Sequence, residues 1–179
     1  FIKCCLEEQH VVIDATKIED ITSTLKHLRD TKSPEQRSIS TFQQYAQDKE
    51  IKIGIQPYTL DGQYGSIFDA INTNLEFSKF TMLEMGALMK LGSQCVTPAL
   101  MYIFKFIENK FAKENDNNGH PTLLVLDEAW VFLQNKYFSE RLEGWLRTLR
   151  KKRVAVVFAT QDVPTVVKSN LCSVILNTC

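Results

Sequence analysis

The chain has 179 residues, and its 21 Lys plus Arg balance 21 Asp plus Glu, so the formal net charge is zero. Hydrophobic residues make up 44% and charged residues 23%, an ordinary globular balance with enough apolar material for a substantial core. The neutral charge argues against a dedicated nucleic-acid binder, leaving room only for a local basic patch, and no apolar run approaches the roughly 18 residues needed to span a bilayer. No signal-peptide pattern opens the chain. It starts at Phe1 rather than at a Met and stops within an apolar run at Cys179, which reads as a piece cut from something longer. The cysteine count, 5, is odd and no C-x-x-C spacing occurs, so buried reduced thiols are expected rather than a zinc site or a disulfide framework. His10, His27 and His120 are scattered, and none lies near another candidate metal ligand.

From Leu6 to about Arg29 the apolar positions Val11, Val12, Ala15, Ile18, Ile21, Leu25 and Leu28 recur at three and four, the pattern of an amphipathic helix. Lys32-Ser33-Pro34 breaks it. Ser33 is a candidate cap for a following helix with Pro34 at its first position, and Ser38 or Ser40 is the alternative cap for a helix carrying Ile39, Phe42, Tyr45 and Ala46. Residues 1–56 therefore predict an all-helical subdomain, closed by Gln56-Pro57-Tyr58, with nothing in it that suggests catalysis.

Leu60 to Asp69 holds Gly62 and Gly65, spaced too closely for a phosphate loop, and reads as an irregular surface connection with Phe68 packed inward. A substrate- or subunit-facing loop is the alternative. Aromatic and β-compatible residues between Leu75 and Met85 predict a strand near Phe80 to Leu83, with Glu84 at its end. Gly86 to Ser93 has two glycines and a lysine, but Lys90 precedes Gly92, so the segment fails the G-x-x-x-x-G-K-[ST] rule. Thr97-Pro98 opens a helix to about Lys113, with Thr97 as cap and Leu100, Met101, Phe104, Ile107 and Phe111 on its apolar face. Asn115 to Gly119 is a polar turn.

Thr122 to Leu126 then runs straight into Asp127-Glu128. The apolar run predicts a strand buried on both faces. Tyr137 to Arg150 predicts a helix with Phe138, Leu142, Trp145, Leu146 and Leu149 on one side and a cation-rich end at Arg147, Arg150, Lys151, Lys152 and Arg153, which suits the helix dipole without any function. Val154 to Phe158 is a second doubly buried strand, and it leads into Thr160-Gln161. Val163-Pro164 begins a short helix, and Ser173 to Thr178 starts a further strand. Strands alternating with helices from Phe80 onward predict an α/β fold, a parallel sheet flanked by helices over residues 57–179.

In an open α/β sheet, ligands sit beyond the carboxyl ends of the strands. If both strands belong to one parallel sheet, Asp127-Glu128 and Thr160-Gln161 share that edge. Such a set divides the labour of nucleotide hydrolysis. In it Asp127 would hold Mg²⁺, directly or through water, by hard oxygen, Glu128 would polarise the attacking water, and Gln161 would sense or orient the γ-phosphate or the water. The plain alternative is an acidic pair that ends a strand at solvent.

Leu124-Val125-Leu126-Asp127-Glu128-Ala129-Trp130, then Trp145-Leu146-Arg147-Thr148-Leu149-Arg150-Lys151, then Val157-Phe158-Ala159-Thr160-Gln161 resembles the TrbE/CagE family of conjugative-transfer ATPases of type IV secretion systems. Asp61-Gly62-x-x-Gly65-x-x-Phe68-Asp69 looks like the same family. The resemblance implies a partial RecA-like P-loop ATPase core with an inserted helical bundle, and ATP hydrolysis that energises pilus assembly or substrate transfer. By it Asp127 and Glu128 match the Walker B pair and Gln161 the glutamine motif, with Thr160 and Lys151 expected among the nucleotide-binding residues. Arg150 and Lys151 match a basic motif, in which Arg150 would reach a neighbouring subunit's γ-phosphate. It further implies ATP and Mg²⁺ as ligands, other secretion subunits as partners, a homo-oligomer of which a hexamer is one form, and a place at the cytoplasmic face of the bacterial inner membrane. The family's phosphate loop is absent from the sequence, so the chain alone is expected to bind ATP weakly and to turn it over negligibly. A DNA-pumping coupling-protein or FtsK-like motor and a non-catalytic secretion scaffold are the competing readings.

Overall fold

The computed structural model describes residues 1–70, 78–115, 121–128 and 153–169, together with Leu142, Gly144, Leu146, Leu149, Cys172 and Ile175; for residues 111–115 and Thr165 it describes the backbone alone. The chain falls into two compact units, Phe1–Ala99 and Leu100–Cys179.

The first unit is helical: α1 (Ile2–Glu8), α2 (Ala15–Thr31), α3 (Ile39–Tyr45), α4 (Lys49–Ile55), α5 (Gly65–Phe68), α6 (Gly86–Met89) and the start of α7 (Ser93–Asn115). The single helix expected from Leu6 to Arg29 is two. The chain turns at His10, whose φ is 60°, and Asp14 caps α2 by accepting from the Lys17 N–H at 2.8 Å. Of the competing caps, Ser33 introduces only a 3₁₀ turn at Pro34–Gln36, whereas Ser38 accepts from the Thr41 N–H and starts α3. Leu6, Ile21, Leu28, Phe42, Ala46, Ile51, Ile55 and Tyr58 form a common core with Cys5 and Cys95. Cys4, Cys5 and Cys95 are buried and unbridged, as expected of reduced thiols, and burial pushes the Cys4 thiol up to about 11.

Two aspartates tie this unit together over long sequence distances. Asp20 on α2 accepts the Gln47 and Asp48 N–H groups at 2.9 and 2.8 Å. Asp69 is 4% exposed and accepts from Ile39 N–H at 2.5 Å, Ser40 N–H at 3.0 Å, Leu60 N–H at 2.9 Å and the Ser40 hydroxyl. The loop Asp69 closes is therefore more than a surface connection. A Cβ at Gly62 would lie 2.2 Å from the Gln56 carbonyl oxygen, and one at Gly65 would lie 2.1 Å from that of Thr59. Both glycines are there because backbone passes against backbone. Phe68 packs inward as expected, edge-on to Tyr58 with ring centroids 5.5 Å apart.

α7 starts at Ser93, earlier than the predicted Thr97-Pro98, and carries Pro98 inside it. Proline has no N–H to give the carbonyl of the residue four before it, here Gln94. That carbonyl accepts the Tyr58 hydroxyl at 2.7 Å instead, so the proline is accommodated without an orphaned acceptor. The predicted strand at Phe80 to Leu83 does not form. Ser78 N–H donates to the Thr81 hydroxyl at 3.0 Å and the Ser78 hydroxyl to the Phe80 carbonyl, a local turn that competes with strand pairing. Phe80 and Met82 are exposed.

In the second unit β1 (Thr122–Leu126) and β2 (Val154–Phe158) pair in parallel, with Thr122 opposite Val154 and Leu126 opposite Phe158. A parallel pair requires a crossover, and within it Leu142, Leu146 and Leu149 are helical and buried. The expectation that both strands are buried on both faces needs correction. Leu123, Val125 and Val157, which the register sets on one face with Ala155, are 61%, 55% and 45% exposed. Parallel strands are apolar on both sides because crossover elements cover both; among the described residues only the face with Leu126 and Val154 is well covered. The short helix α8 (Val163–Lys168) follows β2 as predicted. Ile175, expected in a strand, is helical, since a short apolar run carries no period that separates the two. The observed class is mixed helix with a small parallel sheet.

Candidate functional site

Parallel pairing puts the carboxyl ends of β1 and β2 at the same edge, and that edge carries the polar residues singled out in the sequence. The ladder continues past β2, because Ala159 N–H donates to the Leu126 carbonyl at 3.0 Å. Because Leu126 lies opposite Phe158, Asp127-Glu128 directly after β1 and Thr160-Gln161 shortly after β2 leave the sheet at the same end. Asp127, Glu128, Thr160 and Gln161 are thus brought together along one sheet end.

Asp127 is exposed, and its Oδ1 accepts the Glu128 N–H at 3.0 Å. Glu128 is half-buried and left-handed, with φ at 49°. An L-residue with a side chain of this size pays about 1–2 kcal/mol for that conformation. The reversal takes Glu128 out of the pleat of β1, so it does not continue the strand's alternation. Thr160 is half-buried and its hydroxyl accepts the Asp162 N–H at 3.1 Å; Gln161, between them, is exposed. Arg150 and Lys151 lie outside the described residues, as do Arg147, Lys152 and His120. Arg153 is described, with φ at 53°, and its carbonyl accepts the Thr122 N–H at 3.0 Å where the two strands begin pairing.

Chemically the edge offers two carboxylates, a hydroxyl and a primary amide, all hard oxygen or amide groups and no sulfur or imidazole. Among the described residues no cluster of three or more His, Cys, Asp and Glu forms a metal cage. A cavity of about 330 Å³ lined by Glu7, Glu8, His10, Gly92, Ser93 and Gln94 belongs to the first unit and includes none of these groups. Sequence reasoning did not find the bond from the Asp162 N–H to the Thr160 hydroxyl; the Thr-x-Asp spacing that leads into α8 was its one signal.

These observations define a class first: a mixed α/β protein whose parallel sheet ends in an acidic pair and a Thr-Gln pair side by side. Comparison with known proteins then makes the relationship particular. The chain is 36% identical over 143 residues to the conjugal transfer protein TrbE of Rhizobium radiobacter, covering 80% of this chain and 17% of that protein. It is equally similar, 36% over 143 residues, to a probable conjugal transfer protein TrbE of Sinorhizobium fredii, with 80% of this chain and 21% of that one covered. The type IV secretion system protein virB4 of Bartonella henselae is 26% identical over 170 residues, 93% of this chain and 20% of its own. No family model matches the chain. The resemblance read from the motifs is therefore a relationship: the chain is a homologue of part of the TrbE and virB4 proteins. It spans about a fifth of the length of the curated relatives it matches.

Proposed function

We propose that the chain is a section of the motor subunit of a bacterial type IV secretion or conjugation system, and that it supplies the magnesium-and-water half of a RecA-like ATP-hydrolysing site. The observation that carries this is the juxtaposition of Asp127-Glu128 with Thr160-Gln161 at one end of a parallel sheet. The relatives' names support the system, and the donor chemistry supports the reaction.

The residues fit a Mg²⁺ ion. Mg²⁺ is held by one or two carboxylates, its own waters and substrate phosphates rather than by a protein cage, and Asp127 is an exposed carboxylate with no cage of further His, Cys, Asp or Glu around it among the described residues. When bound, the ion would neutralise charge on the β- and γ-phosphates. Asp127 would hold it, Glu128 would take the proton of the attacking water, and Gln161 would donate to the water or the γ-phosphate. Arg150 would supply positive charge across a subunit boundary, and Lys151 would bind the nucleotide. The sequence contains no G-x-x-x-x-G-K-[ST] loop, so in this reading the backbone cradle for the phosphates comes from elsewhere in the full-length protein. We place that protein at the inner face of the bacterial inner membrane, as a homo-oligomer among other secretion subunits. No helix of the described residues is long and apolar enough to cross the membrane itself.

The test is ATP turnover by the full-length protein as a function of Mg²⁺ concentration. Asp127→Asn should raise the Mg²⁺ needed for half-maximal turnover by about tenfold or more, of the order lost when a charged ligand contact is removed. Absence of turnover in the unaltered protein would reject the function, and an unchanged Mg²⁺ dependence in the variant would reject Asp127 as the metal ligand.

A further inference from the structure

The turn after β2 holds an interaction to which hydrolysis as set out above gives no task. The parallel ladder has its last bond at Ala159 N–H to the Leu126 carbonyl, 3.0 Å. At the next residue a side chain takes over: the Thr160 hydroxyl accepts the Asp162 N–H at 3.1 Å. Gln161 is therefore bracketed. The residue before it is fixed by the ladder's end and by a β-branched side chain with few χ1 choices, and the amide after it is tied back to that same side chain. An exposed glutamine would otherwise sample many backbone and rotamer states at a strand end, and fixing them beforehand removes an entropic cost from the reaction.

We propose that Thr160 is a positioning residue: its hydroxyl, through the Asp162 N–H, fixes the Gln161 backbone at the sheet end it shares with Asp127 and Glu128. The inference rests on the hydrolytic reading of Gln161. Valine has threonine's shape without the acceptor, and serine has the acceptor without the methyl, so the two substitutions separate shape from hydrogen bond.

The experiment has two arms. In this chain, amide hydrogen exchange at Asp162 should accelerate in Thr160→Val and remain slow in Thr160→Ser. In the full-length protein, Thr160→Val should lower kcat for ATP by about three- to tenfold, the size expected for one lost hydrogen bond. KM should not change, and Thr160→Ser should restore the rate. Thr160→Val combined with Gln161→Ala should be no slower than Gln161→Ala alone, since Thr160 acts only through Gln161. Losses that multiply in the double variant, a raised KM, or a Thr160→Val variant with unaltered kcat would overturn the proposal while leaving hydrolysis standing. Wild-type rates in Gln161→Ala would instead defeat the role of Gln161 itself, and the role of Thr160 with it, whatever the exchange arm shows.

Discussion

Tyr58 and Pro98 show how a residue that looks like a rule-breaker is made safe by a partner far away in sequence. Pro98 sits inside α7 and leaves the Gln94 carbonyl without its helical donor, and the Tyr58 hydroxyl takes that donor's place at 2.7 Å. Tyr58→Phe should therefore cost about 1–2 kcal/mol, the penalty for a buried acceptor left unpaired. In a Pro98→Ala background the same change should cost less, because an alanine at that position supplies the missing N–H. Denaturant unfolding of the four proteins of this cycle measures it, and equal costs in the two backgrounds would show that the hydroxyl acts through its other partner, the Gln9 side-chain amide at 3.3 Å, rather than through the Gln94 carbonyl. None of this was legible beforehand: proline at a helix start is the commoner pattern, so Thr97-Pro98 read as a beginning. Asp69 escaped for the same reason. An aspartate near a turn is expected to cap its own neighbourhood, whereas Asp69 caps the start of α3 and the Leu60 N–H. That Asp127-Glu128 and Thr160-Gln161 follow strands at one sheet edge was legible because a polar pair directly after a short apolar run is conspicuous whatever lies elsewhere.

At the scale of elements, the helical character of the first unit and the strands β1 and β2 were legible, whereas several helix starts were not. The start of α2 was missed: its cap is Asp14, which accepts the Lys17 N–H and lies beside the Lys17 ammonium at 3.4 Å. The Lys17 backbone N–H, more than any other group, holds the Asp14 carboxyl below the usual carboxylate range. Because the folded value is the lower one, the cap's contribution is full above the unfolded aspartate value near pH 4. It is lost as pH falls through the folded value. Helicity followed by circular dichroism from pH 7 to pH 2 should decline below about pH 4. Asp14→Asn, which caps as well without titrating, should blunt the part of that decline belonging to α2; an identical acid curve in the variant would remove Asp14 from the account. Phe80 to Leu83 failed as a strand because pairing is non-local, and a Ser-Thr turn supplied a nearer alternative. β1 and β2 succeeded because Val, Leu and Phe concentrate in short runs bounded by turns. The same runs could not say that one face would be left largely open among the described residues.

For the whole molecule, the helical unit is explained internally by its core, its caps and two long-range carboxylates, while the sheet-bearing unit pairs two parallel strands whose carboxyl ends lead into the residues of the proposed site. Its sheet edge gathers Asp127, Glu128, Thr160 and Gln161, and Glu128 carries its strained φ of 49° there. The relation to TrbE and virB4 proteins agrees with the motifs that suggested it. The claim on which this reading turns is that Glu128 activates water while Asp127 and the phosphate cradle hold the nucleotide. It is tested most directly by Glu128→Gln in the full-length protein, with nucleotide affinity and turnover measured on the same preparation. The expected result is ATP affinity within about twofold of the unaltered protein and a turnover reduced at least about 100-fold, the usual worth of a general base. Turnover that survives the substitution at the original rate would contradict the assignment.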